Sequence, residues 1–160
     1  MGVVRANRAS TVPLVALTAV LLSACGSSGS PSAATSPSPA VSPAVVVATV
    51  SVAGTSEQVL TTPAGLTLYY LTSDVAATPK CSAACITHWP PLLSTGTPAL
   101  PSGVSGALTV VQNSNGSQVA YNGHLLYGFA NDTAQGDSKG EGINAFGGTW
   151  HAATPGLTPM

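Results

Sequence analysis

The sequence predicts a mainly β domain, made of two tandem hairpin or meander repeats sharing one core, behind a disordered N-terminal tether. Three observations lead there. The decapeptides GLTLYYLTSD (65–74) and GHLLYGFAND (123–132) share Gly at the first place, Leu-Tyr at the fourth and fifth, and Asp at the tenth. The 17 glycines and 13 prolines punctuate runs of Val, Thr and Tyr, a composition that favours strands and turns over long helices. Asn-Gly at 122–123, between alternating apolar residues, is a strong two-residue hairpin signal.

The elements follow in order. Residues 1–24 read as a signal peptide: Arg5 and Arg8 give a positive start, and 11–22 form an apolar run too short for a bilayer span of about 20 residues. Residues 25–44, GSSGSPSAATSPSPAVSPA after Cys25, are nearly all Ser, Pro, Ala, Gly and Thr, with too little apolar side chain to offset the entropy of ordering. They predict a disordered tether that reaches roughly 60 Å at about 3.1 Å per residue.

The folded domain is expected over 45–160, with repeats near 57–93 and 115–155. VVVATVSVAG gives a β-branched run ended by Gly54, and EQVLTTPAGLTLYYLTSD gives two strands around a Pro63-Ala64-Gly65 turn. ALTVVQNSNGSQVAYNGHLLYGFAND gives three more, split at 113–116 and 122–123. Alternation places Thr67, Tyr69 and Leu71 on one face and Leu66, Leu68 and Tyr70 on the other. Both faces are largely apolar, so these strands should be covered on both sides. Each copy then continues to a tryptophan, Trp89 and Trp150, expected to pack on its own copy's tyrosine strand. A single copy leaves an apolar face that only its twin can cover.

Charge narrows function. Past the signal segment, Lys80 and Lys139 stand against Glu57, Asp74, Asp132, Asp137 and Glu141, a net of −3. No basic stripe exists to neutralise phosphates, so no nucleic-acid partner is expected.

Leu22-Ser23-Ala24-Cys25 followed by Gly26 resembles the bacterial lipobox. That resemblance implies cleavage before Cys25, a diacylglycerol on its thiol and an acylated new N-terminus, hence anchoring at the extracytoplasmic face of the cell membrane. Several acyl chains at about 0.8 kcal/mol per buried CH₂ hold durably.

Tyr127, Phe129 and Asp132 resemble the Tyr-x-(Phe/Trp/Tyr)-x-x-Asp motif of a bacterial lipoprotein family, also described as a secreted repeat of unknown function. Tyr69 and Asp74 match its ends, with Leu71 where the aromatic stands. The similarity runs over about 57–155 and includes Trp89 and Trp150. It implies an envelope lipoprotein of paired repeats, with no catalytic residue and no cofactor.

The remaining candidates each carry a plain reading and a sharper one. Asp74 and Asp132, just past their strands, read as carboxylates that accept backbone N–H groups and fix a turn, or else as ligand-binding groups. With Cys25 assigned to lipid, Cys81 and Cys85 remain as a pair. They read as a local structural disulfide, with a spacing that suits a short helical turn over 82–88, or as a redox or metal pair. His88, His124 and His151 read as surface or structural histidines; the rival reading has them converge on a metal or haem. Asp132, Asp137 and Glu141 lie in a Gly-rich loop without the EF-hand order. The sequence thus points to a non-enzymatic envelope module whose partner is an envelope protein or the cell wall; the alternative is a redox or metal-handling lipoprotein. Oligomeric state is not written in it.

Overall fold

The computed structural model describes residues 45–75 and 78–160. The signal peptide, Cys25 and the tether lie outside the described residues. Within them the chain forms β1 (Val46–Val52), β2 (Thr55–Thr61), β3 (Tyr69–Leu71), the single-turn helix α1 (Cys85–His88), β4 (Leu108–Asn113), β5 (Gly116–Tyr121), β6 (His124–Leu125), β7 (Asn144–Ala145) and β8 (Gly148–Ala152).

All named pairings are antiparallel. β1 pairs with β2, β4 with β5 and β5 with β6, while β8 lies between β3 and β7. Turn chemistry sets the hairpins. Ala53-Gly54 and Asn122-Gly123 both have positive φ at the two central positions, 49° and 86°, 51° and 90°. That is the mirror-image turn whose twist suits adjacent strands.

The two copies exchange their ends. Leu68 N–H donates to Leu60 O (2.9 Å), and Leu126 N–H donates to Val119 O (2.9 Å), so each tyrosine strand lies on its own hairpin. The tryptophan tails cross over. Leu60 N–H donates to Ala153 O (2.7 Å), and Val119 N–H donates to Leu92 O (2.8 Å). The tail of the second copy therefore docks on the first copy's hairpin, and the reverse. At the centre Tyr69 and Tyr127 exchange both backbone bonds, 2.8 and 2.9 Å, which relates the copies by an approximate twofold. The equivalence reaches forward to include β1 and β4, ahead of the boundaries at 57 and 115 read from sequence.

The copies are not identical. In the second, the tail forms the strand β8 against β3, with Tyr69 opposite Ala152 and Leu71 opposite Trp150. In the first, the tail reads Trp89-Pro90-Pro91, and its ladder shrinks to one pair, Pro91 opposite Tyr127. Two consecutive residues without an N–H cannot extend a ladder.

Apolar side chains fill both faces of the tyrosine strands. One cluster gathers Tyr69, Leu71, Trp89, Leu125, Tyr127 and Trp150 with Val50 and Val59. The other gathers Leu60, Leu68, Leu108, Val119, Tyr121 and Leu126. Side chains at successive positions of one strand enter opposite clusters, as the pleat requires.

Candidate functional site

The paired tyrosines and tryptophans meet at the twofold. Trp89 and Trp150 stack face to face, ring centroids 3.8 Å apart and planes 3° from parallel. Each meets its own copy's tyrosine edge-on, Tyr69 with Trp89 at 5.5 Å and Tyr127 with Trp150 at 5.1 Å. Edge-to-face contact aims the positive rim of one ring at the negative face of the next. Phe129 adds a further layer on Trp89 at 4.3 Å. Leu71, its counterpart, is buried opposite Trp150.

The carboxylates close the structure across the copies. Tyr69 donates its phenol O–H to Asp132 Oδ2 (2.6 Å), and Tyr127 donates to Asp74 Oδ2 (2.8 Å). The other oxygen of each carboxylate accepts a backbone N–H, from Lys80 at 2.6 Å and from Lys139 at 3.0 Å. Turn fixing from sequence therefore describes one oxygen of each Asp. The second oxygen ties the twin repeat, a role that no local pattern signals because the partners are 63 and 53 residues apart. Asp74 and Asp132 are only 3% and 5% exposed, so an unpartnered carboxylate there would be costly.

Burial pushes the Asp74 carboxyl above the usual carboxylate range, and the bonds from Lys80 N–H and the Tyr127 hydroxyl pull against that rise. Stability from this group is thus present at acid pH and declines as pH climbs through its folded-state value. Burial, reinforced by the neighbouring carboxylate, raises both Tyr69 and Tyr127 well above the ordinary phenol value. In the unfolded chain these phenols ionise near pH 10, roughly, so the stability they lend is complete below that pH and lost above it, at roughly 1.4 kcal/mol per pH unit for each phenol. Denaturant melts between pH 9 and pH 11.5, roughly the window this linkage spans, should show a steep fall for the native protein. Tyr69→Phe/Tyr127→Phe should be flatter; an unchanged slope would contradict the burial of these phenols.

Gly140 is a contributor that the sequence reading passed over. Its N–H donates to Tyr69 Oη (3.3 Å), and a Cβ there would come within 2.8 Å of Trp89 Cη2 and 2.9 Å of Tyr69 Cε1. The SKGEG segment carried a signal only as a glycine between charged residues, which reads as loop.

Cys81 and Cys85 form a disulfide, with Cα atoms 5.2 Å apart. They do not lie along one helical turn over 82–88. The helix starts at Cys85, and Ala83 takes a positive φ of 50°, folding Cys81 back over it. Both cysteines are buried in the cluster that holds the aromatic stack.

The histidines do not converge. His124 and His151 flank the ring of Tyr70, at 4.9 and 5.9 Å between ring centroids, while His88 lies at the exposed end of α1 beside Phe146. His151 Nδ1 is 2.7 Å from Glu141 Oε1, and His124 Nε2 is 3.0 Å from Thr158 O. Among the described residues no group of three His, Cys, Asp or Glu side chains stands close enough to hold a metal ion. His88, His124 and His151 thus do not converge as the metal or haem reading requires: two of them flank one ring and the third lies on a separate helix. The acidic loop divides likewise. Asp132 faces Tyr69, Asp137 accepts the N–H groups of Thr133 and Ala134, and Glu141 binds His151 and Ala152 N–H.

Residues 109–154 match the model of a family described as a secreted repeat of unknown function. Over this stretch the second copy is similar to such a repeat. The match begins in β4 and ends just past β8, so it frames one whole copy, with Tyr127, Phe129, Asp132 and Trp150 inside it. No curated protein matches the chain. No solved structure matches it either. Within the matched stretch Tyr127, Asp132 and Trp150 are turned inward, onto the twin copy.

Proposed function

We propose that the chain is an envelope lipoprotein, held by lipid on Cys25 at the outer face of a bacterial cytoplasmic membrane, and that its twin-repeat domain is a non-enzymatic binding module. The observation that carries the second half is the reciprocal Tyr–Asp closure. Tyr69, Tyr127, Asp74 and Asp132 are engaged with one another and almost fully buried, which favours a structural use of these groups. A domain built this way offers a rigid body and exposed loops, the usual place for contacts. The partner is an envelope protein or a cell-wall component.

Support for the anchor comes from Leu22-Ser23-Ala24-Cys25 and from the secreted character of the matched family. No described helix is long and apolar enough to cross a membrane.

Cell fractionation tests the anchor. Cys25→Ala should move the protein from the membrane fraction to the soluble extracytoplasmic fraction, and membrane retention equal to that of the native protein would overturn it. Cross-linking in intact envelopes, followed by mass spectrometry, tests the module; a domain that cross-links to nothing but itself would count against a binding role.

A further inference from the structure

Tyr70 and Gly128 stand at equivalent places, each one residue past the paired tyrosines, and their surroundings correspond. The ring of Tyr70 lies between His124 and His151. The counterparts of those two histidines across the twofold are Leu66 and Pro90, and both line the space beside Gly128. With no side chain at 128, that space is an open groove of about 360 Å³, walled by Leu66, Leu68, Pro90, Pro91, Leu92 and Phe129. The first copy fills the position from within; the second leaves it empty.

We infer that the Gly128 groove is a subsite for an aromatic side chain presented by a protein partner. The fold itself shows that a ring fits this position, because Tyr70 occupies its twin. The walls have changed in step with the occupant: two histidines around a phenol of the same chain are replaced by leucine and proline, surfaces on which an incoming ring face packs well. Among the described residues no lysine or arginine lines the groove, and the one carboxylate there, Asp132, already holds Tyr69 and Lys139 N–H. An anionic ligand therefore finds no countercharge. Pro90 and Pro91 lack N–H groups and the Gly128 N–H is bonded to Pro90 O at 2.8 Å, so an added backbone strand gains little. A side-chain anchor remains. This inference rests on the binding-module reading and supplies the chemistry of its partner.

The probe is N-acetyl-tyrosinamide, titrated into the protein purified from its envelope and held in lipid nanodiscs, with amide NMR as the readout. Saturable shifts at Gly128 and Leu66 are expected, with roughly millimolar affinity for so small a ligand. Gly128→Tyr should abolish them with the fold intact, since a Cβ at 128 meets only Pro90 Cγ at 3.7 Å and Pro90 O at 4.0 Å. Leu66→Asp, at a partly exposed wall position, should weaken binding by about tenfold or more, as an anion is set against the negative face of the ring. Absence of shifts, or shifts that survive both substitutions, would overturn the subsite. So would octanoate binding there in place of the ring probe. Shifts at Gly128 that follow protein concentration alone and vanish in Phe146→Ala would assign the groove to a second copy and also overturn it. A failed titration alongside a cross-linked envelope partner removes the subsite and leaves the module; a bound probe without any cross-linked partner does the reverse.

Discussion

Residues 105–160 produced alone, the full second copy with its hairpin and tail, are expected to give a polypeptide without cooperative folding. The reason is the exchange of tails. In the whole domain β8 is bonded to β3 of the other copy, and Tyr127 finds its backbone partners in Tyr69 and Pro91. Cut free, Trp150 loses Trp89, and Asp132 loses the Tyr69 hydroxyl. A chain of that size buries too small a share of its surface to replace those contacts. Far-UV circular dichroism and amide dispersion check this directly; a sharp thermal transition in the fragment would mean that one copy is sufficient.

Trp150→Ala in the intact protein should cost about 3–5 kcal/mol. Domains of this class hold only about 5–15 kcal/mol in total, so the loss is a large part of what keeps the fold. Trp150 is fully buried, stacked on Trp89, met edge-on by Tyr127 and placed opposite Leu71. Among the described residues its indole N–H has no hydrogen-bond partner, so its contribution is packing, and Trp150→Phe should recover much of it. Denaturant titration reads both variants. A loss within about 0.5 kcal/mol for the alanine variant would be that of a surface position.

Local signals made the strands and turns legible. The β-branched run before Gly54 and the Asn122-Gly123 pair carry their own backbone preferences, and the twin decapeptides announced a duplicated unit. Alternation correctly divided Tyr69 and Leu71 from Leu68, because a strand has only two faces. The exchange of tails was hidden. Nothing in Trp89-Pro90-Pro91 or in GGTWHA says which copy's hairpin receives it, since both hairpins offer the same edge. For the same reason the reach of Asp74 to Tyr127, and of Asp132 to Tyr69, was read as a local turn. Gly140 was invisible because its role is to be small against rings some 50 and 70 positions earlier in the chain, Trp89 and Tyr69. The histidines misled by flanking equivalent tryptophans: sequence adjacency to Trp89 and Trp150 did not bring His88 and His151 together.

Cross-copy closure is the claim on which the rest stands, and a pair of double-mutant cycles measures it. Tyr127→Phe with Asp74→Asn, and Tyr69→Phe with Asp132→Asn, should each give a coupling of about 1 kcal/mol or more, as expected for a buried hydrogen bond to a carboxylate. The same-copy cycle, Tyr69→Phe with Asp74→Asn, should be additive. Coupling confined to the same-copy pair, with additivity across the copies, would contradict the account.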